Sequence, residues 1–205
     1  MIKQSSNPNH PRKGSKIRVS PIINKRLIKR IKHNLTDMPR DLALFVMGIN
    51  TALRASDLLG LKTDQVQHLS VGDSLVVHER KTKKNRRITI NHAAHKVLRT
   101  WLEQNSSEWL FPSQRREKVL SVQALNVLVK KWCEAVHIES GIKQNGTNYG
   151  SHTLRKTFGY WQRIDAGVPI HTLMKIFNHS SQGITLTYLG IQEEEIEEVY
   201  MNYEL

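Results

Sequence analysis

LVVHERKTKKNRRITI, residues 75–90, is the stretch on which the fold class turns. Residues 75–79 (LVVHE) and 86–90 (RRITI) carry the β-branched residues of two strands, and the polar KTKKN between them suits a hairpin loop. Outward from this hairpin the apolar residues follow helical spacing instead. Upstream, Ile23, Leu27, Ile28 and Ile31 lie opposite Lys25, Arg26, Lys29, Arg30 and Lys32 in a helix predicted to begin at Pro21. Thr36, Asp37 and Pro39 signal the start of a second helix, which runs through LALFVMGI and is apolar on most sides, hence central to the core. A third, short helix is expected around Asp57 to Leu61. Downstream, helical patterns occupy about 92–104, 121–137, 152–166 and 169–178, with a weaker one beyond Gln182. Ser121 serves as an N-cap and Gly167 as a stop before Pro169. The expectation is a mainly α (α+β) chain with one small antiparallel sheet.

Composition narrows the function. Among 205 residues, 31 Lys and Arg stand against 18 Asp and Glu, a net charge of +13. That charge favours a polyanionic partner, most often nucleic acid. The lone Cys133 excludes an internal disulfide framework and a Cys-based zinc cluster. No apolar run approaches the roughly 18 residues of a membrane span, and the N-terminus lacks a signal-peptide core, so a soluble cytoplasmic protein with no membrane contact is expected. The charge is also uneven. Residues 1–20 read as a flexible basic arm, and residues 192–205 as an acidic tail with six Glu and no Lys or Arg. Ile191, Ile196, Val199 and Tyr203 give that tail the apolar stripe of a helix.

Four places could carry chemistry. Arg80, Lys81, Lys83, Lys84, Arg86 and Arg87 put six positive charges into eight positions at the hairpin, well placed for a DNA backbone or simply solvated. His152 and Arg155, three apart on a helix, share a face: the guanidinium can grip phosphate oxygens and the imidazole can move a proton. Arg54 follows the apolar helix, where an Arg ordinarily pairs with a carbonyl or with an acid such as Asp57. Tyr188 lies nine residues after His179, and a tyrosine there is either a packing residue or an oxygen nucleophile. His92 and His95 have helical spacing but no carboxylate or Cys nearby, and read as surface residues.

Taken together and in order, these motifs resemble the catalytic signature of the tyrosine recombinases, the phage integrase family. TALRASDLLGLK resembles its first Arg motif, SHTLRKTF its His-x-x-Arg motif, and FNHSS with TLTYLGI its closing His and Tyr motif. The resemblance spans residues 35 to 192. It implies a catalytic domain over 21–191, flanked by the basic arm and the acidic tail helix. It also implies a minimal form, without the separate core-binding domain that larger relatives place ahead of the catalytic one.

The resemblance further implies a set of roles. Arg54 and Arg155 would hold the scissile phosphate, and Tyr188 would attack it to leave a 3′-phosphotyrosyl link. Lys81 would protonate the leaving 5′ oxygen, with Lys83 and Lys84 as alternatives. His152 would assist proton transfer at the tyrosine, and His179 would donate a hydrogen bond to the phosphate. Lys156 stands where many relatives carry His and would contact the DNA backbone, alongside Arg80, Lys83, Lys84, Arg86 and Arg87. Tyr200 and Tyr203 lie too far from His179 to be the nucleophile. No metal, ATP or other cofactor is implied.

The implied partners are double-stranded DNA, further copies of the chain in a tetramer on DNA (a monomer when free) and accessory proteins, at the nucleoid. The acidic tail would dock onto a second subunit or fold back over its own basic cleft. A non-catalytic DNA-binding accessory factor and a type IB topoisomerase-like relaxing activity are the competing functions.

Overall fold

The computed structural model describes residues 19–113, 118–140 and 148–190. The chain first runs extended past a later helix, with Ile22 N–H donating to Thr157 Oγ1 at 2.9 Å and Ile22 O accepting from Trp161 Nε1 at 2.9 Å. Helix α1 (Lys25–Asn34) therefore starts four residues beyond Pro21, after its N-cap Asn24, whose side chain caps Arg26 N–H. It buries Leu27 and Ile31, leaves Lys25, Arg26, Lys29 and Arg30 exposed, and half-buries Lys32. Helix α2 (Pro39–Thr51) has Pro39 in its first turn and is buried from Ala43 to Gly48, as its apolar sequence requires. It stops at Ala52, which takes the left-handed conformation with φ 52°.

Helix α3 (Ala55–Leu59) follows at once, with Arg54 as its N-cap residue. Strands β1 (Ser74–His78) and β2 (Asn85–Thr89) form the antiparallel pair, in a register that sets Val77 opposite Arg86 and Leu75 opposite Ile88. Beyond His78 the ladder gives way to the turn: Glu79 N–H donates to Lys84 O and Lys83 N–H to Glu79 O, both at 2.9 Å. Then come α4 (His92–Leu102), α5 (Val122–Ser140), α6 (Thr153–Ile164), α7 (Ile170–Phe177) and α8 (Gln182–Leu189). Side chains of Asn91, Ser121 and Ser181 cap α4, α5 and α8. Gly167, at φ 64°, makes the turn between α6 and α7 that only a residue without Cβ enters freely.

Two apolar clusters result. The larger gathers α1 to α5, the inner face of the hairpin and Leu154 of α6, with Phe45 and Phe111 wholly buried. The smaller contains Ala52, Leu173, Phe177 and Leu189, and seats α7 and α8. Helix α6 stands between them. A Cβ on Gly48 would lie 2.9 Å from Leu154 Cβ, and one on Gly159 would lie 2.5 Å from both Leu189 Cδ2 and Phe177 Cζ. These two glycines set how closely α2 and the α7–α8 pair approach α6. None of the described helices is long and apolar enough to cross a membrane.

Candidate active site

Three arginines gather where two helices end. The last carbonyls of a helix lack intrahelical partners and carry partial negative charge. Ala52 O, at the end of α2, accepts from Arg155 Nη1 at 2.5 Å and from Arg86 Nη1 at 2.8 Å. Thr51 O accepts from Arg86 Nη2 at 2.9 Å. Phe177 O, at the end of α7, accepts from Arg155 Nη2 at 2.8 Å and, more loosely, from Arg54 Nη2 at 3.4 Å. Ala52 and Asn178 both adopt positive φ just past their helices, and these sharp breaks turn the carbonyls toward the arginines. Arg155 also lies over the Phe177 ring, 4.9 Å from its centroid. Burial pushes the Arg155 guanidinium down to about 10, with the charges of Arg86 and Arg54 adding to the fall.

A buried carboxylate offsets this cluster. Glu79, 1% exposed, sets Oε1 2.7 Å from Arg54 Nη1 and 3.7 Å from Arg86 Nη1. The Arg54 contact is ionic rather than a well-aimed hydrogen bond. Glu79 Oε2 accepts from Thr82 Oγ1 at 2.6 Å and Asn178 Nδ2 at 3.4 Å. Burial alone would raise the Glu79 carboxyl, but Thr82, Arg54 and Asn178 outweigh it and hold it down at about 2. Asp57, the acid expected to pair with Arg54, is 3.9 Å from it and instead accepts from Arg80 N–H at 3.0 Å. One carboxylate thus joins the hairpin, the first arginine and the residue preceding His179.

Tyr188 closes the site from α8. Its ring packs on Phe177 and His179, with centroids 5.4 and 5.2 Å away, and Lys156 Nζ stands 4.8 Å over it. The hydroxyl is buried and makes no well-aimed hydrogen bond among the described residues, although the Arg155 guanidinium lies close enough to interact with it. Burial raises its pKa, opposed by the nearby positive charges of Arg155 and Arg54. His179 stacks on Phe177 and holds Thr185 Oγ1 3.1 Å from its Nδ1. Burial, then Arg155 and Arg54, push its pKa down to about 4, so it is neutral at physiological pH. His152 is the N-cap residue of α6, just ahead of the helix rather than within it. The covered part of its otherwise exposed ring, then Arg155, Lys156, Arg54 and Lys81, lower its pKa and favour the neutral base. An open pocket of about 660 Å³, lined by His152, Lys156, Ile184 and Tyr188 among others, borders this group.

The expected residues therefore divide. Arg54, His152, Arg155, His179 and Tyr188 come together, with Lys156 against the tyrosine and the charge of Lys81 reaching His152. Lys81, Arg80, Lys83, Lys84 and Arg87 are exposed on the hairpin. Arg86 departs from the expected DNA-contacting set. Its guanidinium turns inward to Thr51 O and Ala52 O, because Arg86 shares the inner face of β2 with the buried Ile88. Sequence reasoning also passed over Glu79 and Thr185. The alternation Leu75, Val77, Glu79 places Glu79 on the inward side and could have revealed it; nothing in the sequence flags Thr185. The acidic tail and its apolar stripe, the arm before residue 19, and Tyr200 and Tyr203 lie outside the described residues. Among those residues no group of three or more His, Cys, Asp or Glu side chains could hold a metal ion.

Paired guanidiniums, imidazoles with lowered pKa and a covered phenol are groups of the kind that phosphoryl chemistry through tyrosine would use. The profile of the phage integrase family matches residues 22–195, and the chain belongs to that family, the tyrosine recombinases. It is 37% identical over 187 residues to the probable integrase/recombinase YoeC of Bacillus subtilis (strain 168), covering 89% of this chain and 95% of that protein. It is 29% identical over 165 residues to the tyrosine recombinase XerC of Caldanaerobacter subterraneus, covering 78% of this chain but 43% of that one. The fold is shared with the crystal structure of XerA recombinase (TM-score 0.69, 19% identity, 96% of this chain and 67% of that one). It is shared also with XerH site-specific recombinase bound to palindromic difH substrate (TM-score 0.65, 18% identity, 90% and 53%).

Proposed function

We propose that this tyrosine recombinase cleaves and rejoins double-stranded DNA at specific sites through Tyr188, with residues 21–191 as its catalytic unit. Tyr188 Oη forms a bond to the scissile phosphorus while the bond from phosphorus to the 5′ oxygen breaks. The phenolic proton passes to neutral His152, and Lys81 gives a proton to the departing oxygen. Arg54, Arg155 and His179 bear on the non-bridging oxygens as charge builds there. A 5′-hydroxyl from a second strand then attacks the phosphotyrosyl phosphorus and releases the tyrosine, so bond energy is conserved without ATP. Exposed Arg80, Lys83, Lys84 and Arg87 contact the backbone, and four copies assemble on the duplex.

The observation that carries this reading is the buried Tyr188 hydroxyl under the influence of Arg155 and Arg54, beside two histidines with lowered pKa. A DNA-binding accessory factor has no use for that arrangement. The test is incubation with nicked suicide duplexes drawn from the DNA flanking the gene, run on a denaturing gel. A covalent protein–DNA band that Tyr188→Phe abolishes is expected. Salt-sensitive binding without any such band would move the reading to an accessory factor.

A further inference from the structure

Thr185 is wholly buried on α8, one turn before Tyr188, and its hydroxyl lies 3.1 Å from His179 Nδ1. A hydroxyl has a single proton to give. Its other acceptor is Ser181 O at 3.4 Å, a carbonyl that already takes the Thr185 backbone N–H at 3.4 Å. An O–H···O bond of that length is well beyond the usual ~2.7–2.8 Å, so the contact with the imidazole is the better of the two. Giving the proton to Nδ1 requires that Nδ1 be bare, and a neutral imidazole then carries its only hydrogen on Nε2.

We infer that Thr185 is a positioning residue, setting the tautomer of His179 so that Nε2–H is the donor offered to the phosphate. This deepens the reading above and rests on it. Were the tautomer reversed, Nε2 would present a lone pair toward anionic oxygens and repel them. Two other contacts hold the ring plane: Phe177 stacked 5.3 Å away and Tyr188 edge-on at 5.2 Å. Neither distinguishes one ring nitrogen from the other, which leaves that choice to the hydroxyl. Because Thr185 and Tyr188 share one short helix, the donor is correctly protonated only while the helix bearing the nucleophile is seated. A phosphate-binding group and the attacking group are thereby armed together.

The test has two arms. In the full-length protein without DNA, the ¹⁵N shifts of the His179 ring report the tautomer directly. The Nε2–H form is expected in the wild type, a mixture in Thr185→Val, and the wild-type pattern again in Thr185→Ser. An Nδ1–H form in the wild type, or no change in Thr185→Val, overturns the proposal, and neither depends on whether the protein cuts DNA. In the second arm, single-turnover cleavage of a nicked duplex should slow by about ten- to a hundred-fold in Thr185→Val and recover in Thr185→Ser. Equal rates in the wild type and Thr185→Val also overturn it. Failure of the functional reading itself would look different: no covalent complex from any variant, with the tautomer pattern intact.

Discussion

Arg54, Arg86 and Arg155 are held by carbonyls at two helix ends and by a buried carboxylate, whereas Tyr188 is held by ring contacts on an eight-residue helix. The arginine side leans on the large core, where α2, α3 and the hairpin pack, and meets the small one through the carbonyls of Ala52 and Phe177. The tyrosine side leans on four buried residues, Ala52, Leu173, Phe177 and Leu189. Directional polar contacts constrain both the distance and the angle of a guanidinium, and a small apolar seat fixes a helix less firmly. The difference suits the two tasks. Under the proposed mechanism the arginines form a preset phosphate cradle, while the tyrosine sits on an element free to adjust to its target.

Glu79→Gln should damage the arginine side most. It keeps the shape of the side chain but leaves clustered guanidiniums without their counter-charge, at a cost of about 3 kcal/mol read as a lower urea midpoint. The effect has a defined pH window. Because the folded carboxyl titrates near 2 against an ordinary 4.5, its contribution is complete above 4.5 and vanishes as pH falls through 2. Wild type and Glu79→Gln should therefore converge in stability across that acid range. A constant gap down to pH 2 would mean that the charge was not what mattered.

Two glycines at the contacts of α6, Gly48 on α2 and Gly159 on α6 itself, test whether the halves melt separately. Alanine at either position crowds its neighbours and should cost about 1–3 kcal/mol. Gly48→Ala presses on Leu154 in the large core and should lower global stability. Gly159→Ala presses on Leu189 and Phe177, and should expose α8 to hydrogen exchange and slow cleavage while the α2 amides stay protected. Loss of α2 protection in Gly159→Ala would show one cooperative unit instead of two.

The smallest effect expected is near zero. Ala52 occupies a left-handed conformation that costs an L-residue on the order of 1 kcal/mol and a glycine much less. Its methyl is wholly buried, and losing it costs about 0.8 kcal/mol. Ala52→Gly should therefore leave the melting temperature within a few degrees of the wild type and cleavage unchanged; a large fall in melting temperature would show that the methyl outweighs the backbone strain.

Much of the site was readable in the sequence because its parts are local words: an Arg after an apolar helix, a basic hairpin, His-x-x-Arg, a His nine residues before a Tyr. The family resemblance gave these words their roles. What escaped was set by partners far along the chain. The delayed start of α1 follows from Ile22 giving its N–H to Thr157, 135 residues away. The inward turn of Arg86 and the hub at Glu79 obey the two-residue alternation of a half-buried hairpin, but a run of charges hides that alternation from a reader looking for surface.

The covered hydroxyl of Tyr188 has a final consequence. A phenol shielded from water and held above its ordinary pKa of 10 stays protonated, and is a poor target for the kinases, acylating agents and oxidants that modify exposed tyrosines. On the proposed mechanism, the atom that attacks DNA is thus kept in a latent, protonated form until substrate opens its surroundings.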